Sequence, residues 1–381
     1  MRKIKVAYFV DWWPPYHDGG DSIFARDLIT DIKSKLNEYY VFTKHPKNIK
    51  HTYYTKDKFN NKIVFLGDDW KSVLSKLIIK FKPDIIHSFQ IHNYQIVKYL
   101  SLIIKPRPKI IFHMQICFHR YKELFKPDYN SYLYQKNERS LIKISDIVIC
   151  PSKEEKYNVN RLLKPKEIVV VPNGINFKIK NLNFKINKIN DKLRIVFAGR
   201  IDDPMKGIDI IYNAINNLDY KKMKSLKFVF IGTKDTSFMN KLDFSKRVKY
   251  SVIPWINNQN KFYEELSKND VLLMPSLYEP FGILCIEGMS IGLIPIVTRT
   301  GGLKEIVRHS DGGYLLPNPN KLNSNKITSS LLNAIDSLLS LDKKSLIFIK
   351  KKSQKRARMY SIKKSAKEII RIYSKLLRGK N

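Results

Sequence analysis

The chain has 381 residues, too many for one compact core and enough for two domains of ordinary size. Hydrophobic residues at 43% and aromatics at 12% suffice to bury two cores, which makes the protein globular; no apolar run approaches the ~20 residues of a membrane-spanning helix. The formal net charge of +36 admits two readings: a solvated lysine coat, or attraction to an anionic partner such as a membrane surface, a charged sugar acceptor or nucleic acid.

The opening MRKIKVAYFVDWW has a basic tip, but its apolar run is short and stops at Asp11, so it reads as a first β-strand and not as a signal peptide. IVFLG, PDIIHSF, PKIIFHM, DIVICPS and EIVVVPN read as further strands, with helical patterns at 21–36, 70–81, 92–104, 130–143 and 153–162. The stretch 178–192 has no clear period and reads as a linker. The rhythm then restarts with LRIVFAG, LKFVFIG, RVKYSVI, DVLLMPS, LIPIVT and GGYLLP. Apolar strands alternating with helices predict parallel sheets covered on both faces, hence two Rossmann-like domains. Cys117, Cys150 and Cys285 lie in apolar surroundings without paired spacing, as buried thiols of a reducing cytosol do.

The last 39 residues, Lys343 to Asn381, hold 15 Lys/Arg against one acid, Glu368. Within them Ile362, Ala366, Ile369, Ile370, Tyr373, Leu376 and Leu377 recur at helical spacing. This predicts a basic amphipathic helix whose apolar stripe docks either on the protein's own domains or on a bilayer.

In open α/β sheets ligands bind beyond the carboxyl ends of the strands, so residues just after the strands carry the functional reading. After the first strand, Gly19 and Gly20 lead into a helix with Asp21 or Ser22 as N-cap; a glycine pair there admits a phosphate, or makes a plain turn. His113 ends the strand KIIFHM, either as a polar residue at a core edge or as a ligand for a substrate hydroxyl, and His87 ends PDIIHSF in the same way. Asn173 and Gly174 read as a tight turn. Arg200 follows a strand directly and Lys206 opens the next helix, a pair of cations suited to clamp a diphosphate.

In PSLYEPFGILCIEG, residues 275–288, proline and glycine break the helix pattern before an apolar helical run. Glu279 therefore sits in a loop and Glu287 in the first turns of a helix. Two carboxylates so placed suit the vicinal hydroxyls of a ribose and a sugar, while the backbone amides of Phe281, Gly282 and Ile283 can hold a phosphate. The stretch VIPW is a candidate for reading the base of such a ligand.

EPFGILCIE resembles the glutamate, seven residues, glutamate signature of retaining GT-B glycosyltransferases, family 4 most closely. PPYHDGG, KPDIIHSF, FHM, ICPS, VPNGI, AGRIDDPMKG, FIG, LMPSLYEPFG and TGGLKEIV follow one another as in that family. The resemblance implies the GT-B fold: two Rossmann-like doubly wound domains facing across a cleft, with a C-terminal helix crossing back to the N-terminal domain. The boundaries expected are 1–178 with the crossover helix at about 359–381 for the acceptor domain, 179–191 for the linker, and 192–358 for the nucleotide-sugar donor domain. By the family pattern Glu287 would bind the ribose hydroxyls and Glu279 the donor sugar. Arg200 and Lys206 would neutralise the diphosphate, Gly20 would approach the phosphate, and His113 would contact the transferred sugar.

The activity so implied is retaining, metal-independent transfer of a sugar from a nucleotide-diphosphate sugar to a hydroxyl of a glycan, glycolipid or small metabolite, with no cofactor. A cytoplasmic location is expected, with peripheral attachment to an anionic membrane. A sugar-nucleotide epimerase or phosphorylase on the same fold is the nearest rival. The rival of another class is a basic protein that binds nucleic acid nonspecifically through its charge, weakly and with steep salt dependence; specific binding is not expected, since no helix-turn-helix, RNA-recognition or zinc pattern occurs. The stretch ICFHRYKELFKPDYN departs from the family pattern and reads as an acceptor loop.

Overall fold

The computed structural model describes residues 4–16, 19–45, 47–125, 129–177, 192–233, 248–319 and 324–378. Residues 178–191, most of the expected linker, lie outside them. The chain divides into two compact units, Met1–Asn176 with Ser361–Asn381, and Phe177–Tyr360.

The first unit is built on β1 (Lys5–Phe9), β2 (Glu38–Lys44), β3 (Tyr53–Lys56), β4 (Lys62–Leu66), β5 (Ile85–Phe89), β6 (Lys109–His113), β7 (Ile147–Cys150) and β8 (Ile168–Val170). Their order in the sheet is β3-β4-β2-β1-β5-β6-β7-β8, with every neighbouring pair parallel except the antiparallel edge β3–β4. All residues of β5 and β7 are buried, as expected of central strands covered on both faces. β2 and β3 were not predicted. EYYVFTK follows so closely on the helical pattern 21–36 that no breaker separates them; the helix itself runs Gly20–Ile32 and a 3₁₀ turn, Lys33–Lys35, ends it. β3 is a largely exposed edge strand without an apolar run.

The terminal helix Ile362–Arg378 belongs to this unit and packs on the helix Gly20–Ile32. Ile362, Ala366, Ile369, Tyr373 and Leu377 are buried, while Lys363, Lys364, Lys367, Arg371, Lys375 and Arg378 are exposed. The apolar stripe therefore docks internally and the cations face outward. The entry to this helix is fixed by Ile362 N–H donating to Ile175 O (2.9 Å) and Ser365 Oγ donating to Pro172 O (2.7 Å). A Cβ on Gly174 would lie 2.4 Å from the Ser361 carbonyl carbon. Gly174 is thus where the returning chain crosses the end of the N-terminal segment, not a simple turn.

The second unit carries β9 (Leu193–Ala198), β10 (Leu226–Thr233), β11 (Lys249–Pro254), β12 (Val271–Met274), β13 (Ile294–Thr298) and β14 (Tyr314–Leu316), all parallel in the order β11-β10-β9-β12-β13-β14. Its core joins Ile195, Phe197, Phe228 and Phe230 of the sheet to Ile211, Leu331 and Ile335 of the helices Ile208–Asn216 and Ser324–Leu339. The helix Lys343–Ala357 is tied in by a buried ion pair, Lys350 Nζ to Asp270 Oδ1 at 2.6 Å.

Candidate active site

The loop between β12 and the helix Ile283–Ser290 holds Glu279 between two buried anchors, Tyr278 and Phe281. Three glycines let backbone close in on it. On one side lies the 3₁₀ turn Pro204–Lys206, where Leu277 N–H donates to Met205 O (2.7 Å). There a Cβ on Gly207, at φ +67°, would fall 2.1 Å from Pro275 O. On the other side a Cβ on Gly301 would fall 1.7 Å from Glu279 O, and one on Gly302 2.3 Å from Phe281 O; Gly302 N–H donates to Glu279 O (3.3 Å). The loop is held as a sandwich that sequence alone did not reveal.

This packing brings two of the expected residues together: Lys206 Nζ is 2.9 Å from Glu279 Oε2. Their side chains are 22% and 14% exposed, so the pair is largely withdrawn from water yet reachable by a ligand. Arg200, just after β9, pairs with Asp203 (2.5 Å), and its side chain is 65% exposed. Asp203 also accepts from Met205 N–H (2.9 Å), so one carboxylate steers Arg200 and shapes the turn that carries Lys206. Lys206 lies in this turn, and the following helix begins only at Ile208.

Glu287 is buried and has a different partner: Tyr263 Oη donates to Glu287 Oε1 at 2.5 Å, and Gln259 Nε2 donates to Tyr263 Oη (2.8 Å). Tyr263, fully buried on the helix Gln259–Ser267, fixes where this carboxylate points. The amides of Phe281, Gly282 and Ile283 donate to no protein group among the described residues, and they crown the positive end of the helix Ile283–Ser290. Paired cation and carboxylate, unfilled amides and a buried, oriented carboxylate thus line the carboxyl end of β12, where an anionic, polyhydroxylated ligand finds its complement.

In the first unit Gly19 is the N-cap of the helix Gly20–Ile32, and neither Asp21 nor Ser22 caps it. Gly19 takes the extended φ of −64° that a cap requires; Asp21 lies in the first turn and accepts from Ser22 N–H (2.9 Å). His113 is fully buried at the end of β6, stacked on Phe89 with the edge of Phe24 against it. Its Nδ1 lies 3.3 Å from His87 Nε2, His87 Nδ1 lies 2.6 Å from Tyr373 Oη, and Tyr373 Oη donates to Tyr8 Oη (3.1 Å). His113 Nε2 has no partner among the described residues. A sugar contact through that atom requires it to be uncovered.

Burial lowers the His113 pKa from 6.5 to about 3 and, with the neighbouring imidazole, carries His87 well below its ordinary value. Both rings are neutral at physiological pH. Below their ordinary pKa of 6.5 both rings take up protons in the unfolded chain before they do in the folded one, so the stability that neutral burial allows is fully present above that pH and is lost as pH falls below it. Urea unfolding should show stability falling as the pH is lowered from 6 to 4, with a shallower fall in His87→Gln.

Two parallel α/β units of this kind make up the GT-B fold. The solved structure of sucrose-phosphate synthase from Thermosynechococcus elongatus matches 99% of this chain and 100% of that one with a TM-score of 0.78, at 17% identity. Anabaena HepE in complex with UDP-glucose matches 98% of this chain and 100% of that one, with a TM-score of 0.69 and 15% identity. The family model described as Glycosyltransferase Family 4 matches residues 22–178, and that described as Glycosyl transferases group 1 matches residues 178–355. Glycogen synthase from Thermodesulfovibrio yellowstonii is 27% identical over 272 residues, 67% of this chain and 50% of the synthase. The chain spans about half the length of the curated relatives it matches.

The chain belongs to glycosyltransferase family 4.

Proposed function

We propose that the chain transfers a sugar from a nucleotide-diphosphate sugar to a hydroxyl acceptor with retention of anomeric configuration. The observation that carries this reading is the Lys206–Glu279 pair at 2.9 Å beside the unfilled amides of Phe281, Gly282 and Ile283. Lys206, Arg200 and these amides hold the diphosphate and take up the charge that develops as the bond from the anomeric carbon to the phosphate oxygen breaks. Glu279 receives hydroxyls of the donor sugar, and Glu287, aimed by Tyr263, receives those of the ribose. The acceptor oxygen bonds to the anomeric carbon on the face the phosphate leaves, and its proton passes to the departing phosphate. Two protein cations stand where a divalent ion would otherwise offset the diphosphate charge, which supports a metal-independent reaction. HepE, solved with UDP-glucose, supports the donor class.

Thermal unfolding against UDP-, GDP-, ADP- and CMP-sugars tests the reading. At a donor concentration of about 100 Kd one donor should stabilise the protein by about 2.7 kcal/mol. Glu287→Ala should abolish that shift, and Tyr263→Phe should weaken donor binding about tenfold by freeing the carboxylate to rotate. No shift with any of the four classes would overturn the proposal.

A cell-surface glycan or glycolipid is the acceptor class we favour, with the chain attached peripherally to a membrane. The outward cations of the helix Ile362–Arg378 support attachment through charge, because its apolar stripe is already covered. Co-sedimentation with vesicles rich in anionic lipid should therefore be strong at low salt and vanish near about 0.5 M salt. Absence of binding at low salt would remove the membrane from the reading.

A further inference from the structure

A second polar cluster stands at the carboxyl ends of β1 and β5 in the first unit. Asp11, 1% exposed, accepts from His92 Nδ1–H through one carboxylate oxygen and from Asn93 Nδ2 through the other. Asp11 N–H donates to Gln90 Oε1 (3.3 Å), and Gln90 Nε2 donates to Asp21 in the first turn of the helix that follows Gly19. Gln90 holds φ at +64°, a backbone that a residue other than glycine seldom adopts and that turns the next residues toward Asp11. Of the three histidines at these strand ends, His87 and His113 are sealed in the core, whereas the His92 side chain is 36% exposed. With Nδ1 committed to the buried carboxylate, the proton is fixed on that nitrogen. Nε2, on the other edge of the ring, then presents a lone pair with no protein partner among the described residues.

Beside it stands an aromatic wall. The Tyr134 ring meets His92 edge to face at 5.0 Å and leans on Phe118 at 5.0 Å. Phe118 opens the short helix Phe118–Leu124, part of the stretch that departs from the family pattern. Two buried glutamates hold the start of that helix. Glu138 accepts from the N–H groups of Phe118 (2.9 Å) and His119 (3.1 Å), and Glu155 accepts from Cys117 N–H (3.1 Å). Burying two carboxylates to satisfy three amides at one helix start costs free energy that a plain surface loop would not need.

We propose that His92, oriented by Asp11, is the acceptor subsite of this chain, with Nε2 accepting a hydrogen bond from an acceptor hydroxyl while a sugar ring packs on Tyr134. The inference rests on the transferase reading above and names its acceptor side: a pyranose, whose hydroxyl donates to the imidazole and whose apolar face covers an aromatic ring. Asp11 is a positioning residue that selects the tautomer.

The test is long-range proton–nitrogen NMR of the histidine rings of the whole chain, with the His92 signal assigned by its absence in His92→Gln. Methyl glycosides of glucose, galactose, mannose and N-acetylglucosamine are added to about 100 mM, the range of a single-sugar contact. At least one should move the His92 Nε2 signal in a saturable way, and Asp11→Asn should change the tautomer pattern and weaken that response about tenfold. If none of the four moves it, the subsite is wrong. If the response is unchanged in Asp11→Asn, the role of Asp11 is wrong. Failure of the transferase reading would show separately, as a wild-type protein that binds no nucleoside diphosphate.

Discussion

Lys206→Ala is expected to lower kcat/KM for donor hydrolysis, with water as acceptor, by about 10²–10³, the loss found when one preorganised group facing a developing negative charge is removed. The fall should lie mainly in kcat, because the charge on the departing phosphate grows in the transition state. Removing one partner of a pair whose members are 22% and 14% exposed leaves a part-buried carboxylate unpaired and should cost about 1–3 kcal/mol of stability, so hydrolysis is measured at a temperature where the variant is folded and the remaining loss is chemical. Glu279→Gln and the double variant complete a cycle. Residues in contact couple, so Lys206→Ala should cost less once Glu279 is neutral. Loss of activity by less than tenfold in Lys206→Ala would remove the lysine from the reaction.

The parts of this fold that were legible in the sequence are those where burial leaves a one-dimensional trace. β7 and β12 are covered on both faces and each is a short unbroken apolar run between breakers; β5 and β13 are as fully buried and keep an apolar majority around His87 and Ser88, and around Pro295 and Thr298. The edge strand β3 has exposed faces and leaves no such run, and β2 hides behind a helix with no breaker between them. In the site, Lys206 and Glu279 stood out because glycine and proline mark their loops, yet their contact spans 73 residues of sequence and is made by packing alone. Tyr263 was invisible for a related reason. Its helix reads as an ordinary amphipathic segment, and only the fold lays its hydroxyl against Glu287. Asp203 is one of two adjacent acids in IDDP, and nothing in the sequence marks which of them shapes the turn. Asp11 and His92 are single polar residues after separate strands, and nothing in either neighbourhood points to the other; parallel pairing of β1 with β5 joins them.

Gly301 is where the geometry of the Glu279 loop is most exposed to a single methyl group. Gly301→Ala asks an alanine to hold φ +49° and to place its Cβ 1.7 Å from Glu279 O, a backbone atom that no rotamer change can move aside. Either the TGG turn or the Glu279 loop must shift. Gly199→Ala separates the two costs, since φ +139° is more foreign to alanine than +49° but its Cβ would meet nothing within 4 Å. Gly199→Ala should therefore cost only the backbone term, about 1–3 kcal/mol. Gly301→Ala should cost about 3–5 kcal/mol, a fall in unfolding midpoint near ~10 °C for a unit of this size. It should also lose donor hydrolysis by about 10², because a displacement of about 1 Å in a catalytic loop has that effect. Scanning calorimetry of both variants, with hydrolysis measured at a temperature where each is folded, decides the matter. Equal thermal losses in the two would mean that the loop yields to the methyl group, and that Glu279 is held by Tyr278, Phe281 and Lys206 without help from the glycine.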